Sequence, residues 1–173
     1  MSFLGKVNIF KSSLSKIRKK VIGDFREDAL SNIICKNLEK YIDKNKNKNL
    51  NFLDYGAGYN PILIKKIIKK LSKKYKQKNF TAHCYDFYDK NKIKELNSNK
   101  KIVFKHIDKL KLSKIKSYDF CLVVDVIHHI NIDNKKKIID LLKFFKKKSK
   151  LIIIKDHLQY GFISNLILIF MDI

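Results

Sequence analysis

The sequence predicts an α/β fold in which a doubly wound parallel sheet carries helices on both faces. Five short apolar segments, rich in β-branched residues, alternate with segments of helical periodicity. They show little alternation of apolar and polar residues, which is typical of parallel strands buried on both sides. A carboxylate stands at or just after the end of most of these segments, and ligands of doubly wound sheets bind outside this edge.

Three regions are expected along the chain. Residues 1–23 form a basic, mildly amphipathic helical extension, residues 24–157 form the main domain, and residues 158–173 form an apolar helical segment that is cut short. Two interpretations of the extension stay open: it packs on the domain, or it makes a peripheral contact with an anionic membrane surface. The first helix of the domain is expected from Asp24 to Asp43, with Asp24 as N-cap and Glu27 completing a capping box.

The stretch from Asn51 to Pro61, NFLDYGAGYNP, holds two of the five glycines and the single proline. A first strand, Leu50 to Asp54, leads into Gly56 and Gly58, and Pro61 suits the first turn of a helix that extends to about Lys74. Such a strand, glycine turn and helix lets a ligand approach the backbone closely and directs helix N–H groups towards it.

The remaining elements follow the same alternation. A brief helix is predicted from Lys92 to Leu96 and a longer one from about Asn134 to Lys147. The other strands are predicted at Phe80–Tyr85, Lys101–Phe104, Phe120–Val124 and Leu151–Ile154. Carboxylates follow the five strands at Asp54, Asp86, Asp108, Asp125 and Asp156. In a chain with 16 acidic and 39 basic residues, this concentration at one sheet edge indicates a site.

Composition agrees with one globular domain. The chain has 173 residues, of which 45% are hydrophobic, enough to form a sizeable core. The cysteines are widely separated and form no Cys-x-x-Cys pair, so no metal site is expected. Buried, reduced thiols in a cytoplasmic protein are the simplest interpretation. No run of about 18 apolar residues is present, so no membrane-spanning segment is expected. The cysteines are Cys35, Cys84 and Cys121.

The net charge of +23 raises the question of nucleic-acid binding. Only Arg18 and Arg26 are arginine, the residue preferred for bidentate phosphate and guanine contacts. The lysines are spread along the whole chain and accompany many Asn and Ile residues, a combination typical of AT-rich codon usage. We therefore interpret the charge as compositional, and a nucleic acid is not the expected partner.

Two common nucleotide-binding motifs are excluded by the glycine turn. The dinucleotide fingerprint G-x-G-x-x-G would place its third glycine at position 61, which is Pro61. A P-loop would need Gly-Lys-Ser/Thr after the turn, and none follows.

The motifs resemble those of class I S-adenosylmethionine-dependent methyltransferases. LDYGAG is similar to the family's first motif at Asp54, Gly56 and Gly58, although Asn60 stands where a third glycine is usual. CYDFYD, with Asp86, is similar to the second motif, and KHIDKL supplies Asp108 after the third strand.

The segment YDFCLVVDVIHHI resembles the fourth strand and following loop of a small-molecule branch of this family, in which an acid precedes paired histidines. Asp125, His128 and His129 match that pattern. The resemblance covers about residues 24–157 and implies a Rossmann-like fold that binds S-adenosylmethionine. The last two strands of the family fold are missing, so the chain looks C-terminally truncated.

The resemblance implies a role for each matching position. The glycine turn would approach the methionine part of the cofactor, Asp86 would accept from the ribose hydroxyls, and Asp108 would accept from the adenine amine. Phe87 and Ile107 would enclose the adenine, and Asp125 would lie near the sulfonium. Structural alternatives stay open: Asp86 and Asp108 as helix caps, Phe87 and Ile107 as core residues. The implied cofactor-binding residues are Asp54, Tyr55, Gly56, Ala57, Gly58, Asp86, Phe87, Ile107, Asp108, Val124, Asp125 and Val126.

The acceptor side is implied by His128 and His129, which line the acceptor pocket, act as a general base, or are merely structural. Asp156 and His157 are further candidates. The expected reaction is methyl transfer to a small-molecule, lipid or sugar acceptor. The Asn-Pro-Pro-Tyr type motif of base-methylating enzymes is absent, which argues against methylation of adenine or of a glutamine amide. The alternatives are an inactive methyltransferase-like binding module and a basic RNA- or membrane-associated domain.

Overall fold

A computed structural model describes residues 25–58, 61–89, 91, 93, 101–112, 117–127 and 135–156. Within these residues, five strands form one parallel sheet in the order β3–β2–β1–β4–β5. The predicted α/β class and the parallel sheet are confirmed. The extension at residues 1–23 and the apolar segment at residues 158–173 lie outside the described residues. The strands are β1 (Asn49–Tyr55), β2 (Asn79–Asp86), β3 (Ile102–His106), β4 (Tyr118–Val124) and β5 (Ser149–Lys155).

The described helices are α1 (25–44), α2 (Ile62–Lys74), α3 (Asp108–Leu112) and α4 (Lys135–Lys148). Of these, α3 was not predicted, because five residues are too few to show a helical period. Most of the helix expected at Lys92–Leu96 lies outside the described residues; Ile93 is helical, and its N–H donates to the Asp89 carbonyl at 3.0 Å.

One face of the sheet is covered by α1 and α2. The apolar stripe of α1 includes Leu38 and Ile42, which have no exposed surface, and α2 contributes Ile64 and Ile67 in the same way. They pack on alternate strand residues such as Phe52. At about 25 cal/mol per Å² of apolar surface, this burial is the main force that holds α1 and α2 on the sheet.

The opposite face is covered by α3 and α4. Phe145 from α4 and Leu110 from α3 are buried there against Leu53, Cys121 and Val123. Since adjacent strand residues alternate between the two faces, Leu53 faces α4 while Phe52 faces α1 and α2. The prediction of helices on both faces is therefore confirmed.

The register explains why Asp54 is buried. Asp54 lies opposite Cys84 of β2 and Leu122 of β4, so it occupies the middle of the sheet. It shares the face of Phe52, which α1 and α2 cover. β1 is the central strand and the order of the strands reverses between β1 and β4, which is where such sheets form a crevice at their carboxyl edge.

Three strand boundaries lie two residues from the prediction, and the others differ by at most one. β3 ends two residues later, at His106, whereas β4 and β5 begin two residues earlier, at Tyr118 and Ser149. Tyr118 and Ser149 pair with each other. The sequence obscured this pairing because the polar residues Asp119 and Lys150 interrupt the apolar runs. In the structure the Lys150 Nζ contacts Asp119 Oδ1 at 2.8 Å, so charge pairing replaces apolar packing at this end.

Within the described part of the chain, no helix has both the length and the apolar character required to cross a membrane.

The second face of the sheet offers a test of the packing. We expect Phe145→Ala, which empties a fully buried ring position, to lower the free energy of unfolding by about 3–5 kcal/mol. Ile139→Ala on the same helix is the control, because Ile139 is 49% exposed, and it should change stability by less than about 1 kcal/mol. Urea unfolding measures both. Equal losses for the two variants would contradict this assignment of the buried face.

Candidate functional site

Backbone hydrogen bonds continue past the strand ends and fix the loops of the carboxyl edge. The Gly56 N–H donates to the Tyr85 carbonyl at 2.8 Å, and the Ile107 N–H donates to the Asp86 carbonyl at 2.8 Å. The Asp125 N–H donates to the carbonyl of Lys155 at 2.9 Å. The loops after β1, β3 and β4 are thereby held by the same ladders as the sheet.

The two glycines of the turn have left-handed backbone angles, but they serve different purposes. Gly56 has φ 75°, and a Cβ added there would lie 2.4 Å from Cγ2 of Val126. Gly58 has φ 65°, and a Cβ added there would meet none of the described residues within 4 Å. Gly56 is therefore required by packing between the first and fourth loops, whereas Gly58 borders open space that a ligand can enter.

Asp86 ties the glycine turn to the end of β2. Its Oδ2 accepts from the Gly58 N–H at 2.7 Å, and its Oδ1 accepts from the Phe87 N–H at 2.7 Å. The Tyr88 hydroxyl donates to the Gly58 carbonyl at 2.7 Å, so Gly58 is bound on both sides. A carboxylate offers about four acceptor positions, so Asp86 keeps acceptor capacity for a ligand.

The alternative of Asp86 as a helix cap finds no support in the described residues. Asp89, three residues later, makes the local contact instead: its Oδ1 accepts from the Asn91 N–H at 3.1 Å.

A cavity of about 150 Å³ opens between the glycine turn, the end of β4 and the helices α1 and α2. Five of the predicted cofactor-binding residues meet there: Asp54, Gly56, Ala57, Val124 and Asp125. The other lining residues are Glu27, Pro61, Ile62 and Leu63.

Asp54 is the most deeply buried acid of this cavity, with 7% of its surface exposed. Its Oδ2 has a 4.0 Å contact with the Cys84 thiol, which is a weak donor. The pKa of Asp54 is raised from 3.8 to about 7, mainly by burial and in smaller part by the nearby carboxylates of Asp86 and Glu27. Asp54 is therefore an acid that would be stabilised by a cation.

Asp125 has two basic partners that the sequence did not suggest. Its carboxylate forms ion pairs with Arg26 from α1 and Lys155 from β5. Its expected place beside the positive charge of the cofactor stays a prediction. Asp125 also has a left-handed φ of 54°, which is uncommon outside glycine. Its contacts join α1, β4 and β5 at the rim of the cavity.

Arg26, Glu27 and Lys155 were missed as site residues. Glu27 was interpreted as half of a capping box with Asp24, which lies outside the described residues; the structure shows Glu27 lining the cavity. The sequence signal that points to Glu27 is an acid in an amphipathic helix ahead of the glycine motif. This signal is ambiguous, because the spacing between Asp24 and Glu27 also fits a capping box.

Further along the edge, the residues after β2 and β3 form a second group. Phe87 is 73% exposed, which excludes it as a core residue. Its ring meets the His106 ring edge-on, with centroids 6.1 Å apart. Ile107 is buried, as the core alternative expects. Asp108 is exposed in the first turn of α3 and its Oδ2 lies 3.2 Å from Nδ1 of His106.

Two predicted residues face away from the cavity. The Tyr55 ring lies on the α4 side of the sheet, 4.9 Å from the ring of Phe145, so only its backbone can contribute to the turn. Val126 packs against Gly56 and belongs to the same apolar cluster.

His128, His129, Asn60 and His157 lie outside the described residues. The loop that leads to the two histidines is anchored by Asp156, whose Oδ2 accepts from the Ile127 N–H at 2.5 Å. Within the described residues, no group of three or more His, Cys, Asp or Glu side chains is arranged to hold a metal ion.

No protein-family model matches the sequence, and a search of curated proteins gives no match. A similar solved structure is the "Crystal structure of a SAM dependent methyltransferase from Archaeoglobus fulgidus", where SAM is S-adenosylmethionine. The two chains are 20% identical; the similarity covers 79% of this chain but 57% of that one, with a TM-score of 0.46. A likeness at this level assigns no activity.

The two glycines are expected to respond differently to a methyl group. Gly58→Ala should cost about 1–2 kcal/mol, the strain of a left-handed alanine. Gly56→Ala should cost about 2–4 kcal/mol, because it adds a clash with Val126. The double variant Gly56→Ala/Val126→Ala should lose about 1 kcal/mol less stability than the sum of the two single losses, and urea unfolding measures this coupling energy. Strictly additive effects would show that the Gly56–Val126 contact is not tight.

The buried Asp54 predicts a specific pH dependence of stability. Its folded-state pKa of about 7 exceeds its ordinary value of 3.8, so the unfolded chain loses this proton first as pH rises. The stability that comes from the buried neutral acid is complete below about pH 4 and is lost by about pH 7. Asp54→Asn, which is neutral throughout, should therefore gain stability relative to wild type across this window, by up to about 4 kcal/mol.

Urea unfolding of both proteins between about pH 4.5 and pH 8 measures this difference. Burial lowers the pKa of His83 to about 4, which reduces stability as pH falls below its ordinary value of 6.5. Both proteins contain His83, so its effect cancels in the comparison. Parallel stability profiles for wild type and Asp54→Asn would refute the assignment of a buried neutral acid.

Proposed function

We propose that this protein is a cytoplasmic, S-adenosylmethionine-dependent methyltransferase that acts on a small-molecule, lipid or sugar acceptor. The observation that carries the proposal is the arrangement at the carboxyl edge. Among the described residues, Gly58 borders open space that lies beside Asp86, which keeps acceptor positions, and beside a cavity lined by carboxylates. The three buried cysteines, which form no disulfide, fit a reducing compartment.

The residues present fit the two ends of this cofactor. The cavity at Asp54 and Ala57 suits the amino-acid end, which carries an ammonium group and passes close to a glycine backbone. Asp86 would bind the ribose hydroxyls with its remaining acceptor positions. The exposed Phe87 ring offers a flat apolar surface to the adenine, and Asp108 would accept from the adenine amine.

When bound, S-adenosylmethionine supplies a methyl group that is already activated by the sulfonium. The main task left to the protein is to position the acceptor in line with that methyl group and to exclude water, and positioning alone supplies a large part of the rate. Val124 and Asp125 line the cavity at the end of β4, where the transferred methyl group would lie. Asp125 is held there by Arg26 and Lys155.

His128 and His129 follow that loop directly, and we assign them to the acceptor side, as pocket residues or as a general base. Asp156 anchors the chain directly before them, because its carboxylate accepts from the backbone N–H of Ile127. An acceptor hydroxyl or amine within hydrogen-bond distance of a neutral histidine would give its proton to the ring nitrogen as it receives the methyl group.

The proposal predicts that the folded protein binds S-adenosylmethionine with micromolar affinity in calorimetry. Asp86→Ala should weaken binding by about 10- to 100-fold, the effect of losing hydrogen bonds to a charged acceptor. Asp89→Ala is the matched control: it removes an exposed carboxylate three residues away that contacts Asn91, and it should leave affinity within about twofold.

Folding of each variant is checked by circular dichroism before calorimetry. Absence of binding in folded wild-type protein would reject the proposed function. Equal weakening by Asp86→Ala and Asp89→Ala would reject the assignment of Asp86 to the ribose.

A further inference from the structure

Glu27 has a feature that the proposed function does not explain. Its Oε2 atom is buried and has no hydrogen-bond partner among the described residues, while its side chain lines the cavity. An unsatisfied buried carboxylate oxygen costs roughly 1–3 kcal/mol or more, so native proteins rarely keep one without a reason.

The basic residues nearest to Glu27 are engaged elsewhere. Arg26, its neighbour in α1, and Lys155 both form ion pairs with Asp125. Lys66 contacts Asp28 Oδ1 at 3.3 Å. Their charges favour the ionised form of Glu27, but burial is the larger influence and raises its pKa.

A second acid, more deeply buried than Glu27, faces the same cavity. Asp54 is 7% exposed and its carboxylate contacts only a thiol, at 4.0 Å, in the described hydrogen bonds. Glu27 comes from α1 and Asp54 from β1, so the cavity has an acid on two of its walls. An anion there would be repelled by both, and a neutral apolar group would leave Oε2 unsatisfied. A cationic donor would satisfy both acids.

We propose that Glu27 binds the α-ammonium group at the amino-acid end of the cofactor, across the cavity from Asp54. This inference rests on the proposed function and extends the cofactor site to α1, a helix that precedes the glycine motif. A primary ammonium carries three donors, enough to reach an oxygen of each acid and one further acceptor.

The inference has two consequences that a purely structural role for Glu27 would not produce. Replacing Glu27 with Gln removes the charge of a half-buried carboxylate that has one unsatisfied oxygen, so the free protein should be at least as stable as wild type. The same substitution should weaken ligands that carry the ammonium group and spare ligands that lack it.

The experiment compares S-adenosylhomocysteine with its deamino analogue, in which hydrogen replaces the α-ammonium group, by calorimetry. For wild type, loss of the ammonium group should weaken binding by about tenfold or more, and Glu27→Gln should reduce that difference to about twofold. Glu39→Gln is the matched control on the same helix, because Glu39 is paired with Lys74 at 2.6 Å, and it should behave as wild type.

Glu27→Asp provides a second variant that keeps the charge but withdraws it by one methylene, and it should give an intermediate preference for the ammonium ligand. Equal weakening of both ligands by Glu27→Gln would overturn the inference, as would an unchanged preference. If folded wild-type protein bound neither ligand, the proposed function and the inference would both fail. If wild type bound both ligands and only the Glu27 variants departed from expectation, the inference alone would fail.

Discussion

The close contact between Gly56 and Val126 is the constraint on which the site depends. β1 is the central strand, with β2 on one side and β4 on the other, so the chain leaving it must turn between two neighbouring loops. No space for a Cβ exists where Gly56 meets Val126. This close approach fixes the loops after β1 and β4 against each other, and it leaves the next glycine, Gly58, facing open space. The cavity, the start of α2 and the position of Asp86 relative to the turn all follow from that geometry.

The electrostatic character of the site is opposite to that of the chain. The sequence has a net charge of +23, yet acids dominate the carboxyl edge of the sheet. Acids lie at or near the ends of the strands, and parallel strands bring these ends side by side. Basic side chains compensate only part of the negative charge at this edge. Asp125 has two basic partners, whereas Asp54 remains buried with a pKa raised to about 7, and one oxygen of Glu27 has no partner among the described residues. Such a local cost to stability is typical of sites that are completed by a ligand of opposite charge.

The sequence predicted the elements that have a clear local signal. The apolar β-branched runs located all five strands, and helical periodicity located α1, α2 and α4. The sequence failed to predict two features of the fold. β5 starts at Ser149 because it pairs with Tyr118, and α3 is too short to show a period.

The site residues divide in the same way into those with a local signal and those without one. Acids at strand ends were predictable because topology alone brings them together. The contact of Arg26 with Asp125 joins residues 99 positions apart, and no local pattern encodes it. Glu27 was interpreted as a cap because the spacing of a capping box is the same whether or not the acid points into a cavity.

The helix α1 is held differently at its first described turn, which lines the cavity, than along the rest of its length. Further along the helix, Ile34, Leu38 and Ile42 are almost fully buried, so packing fixes the helix to the sheet. At the cavity end, Phe25 is 78% exposed and Arg26 is held by its ion pair, so charge rather than apolar packing determines the local structure. The energy of an interaction between charges changes strongly with the neighbouring charges and the local dielectric, whereas the energy of apolar packing does not. A cation placed between Glu27 and Asp54 would therefore strengthen the contacts of this turn with β1 and β4 without moving the core. In that arrangement ligand binding and the docking of the first turn of α1 are thermodynamically linked, since each stabilises the other.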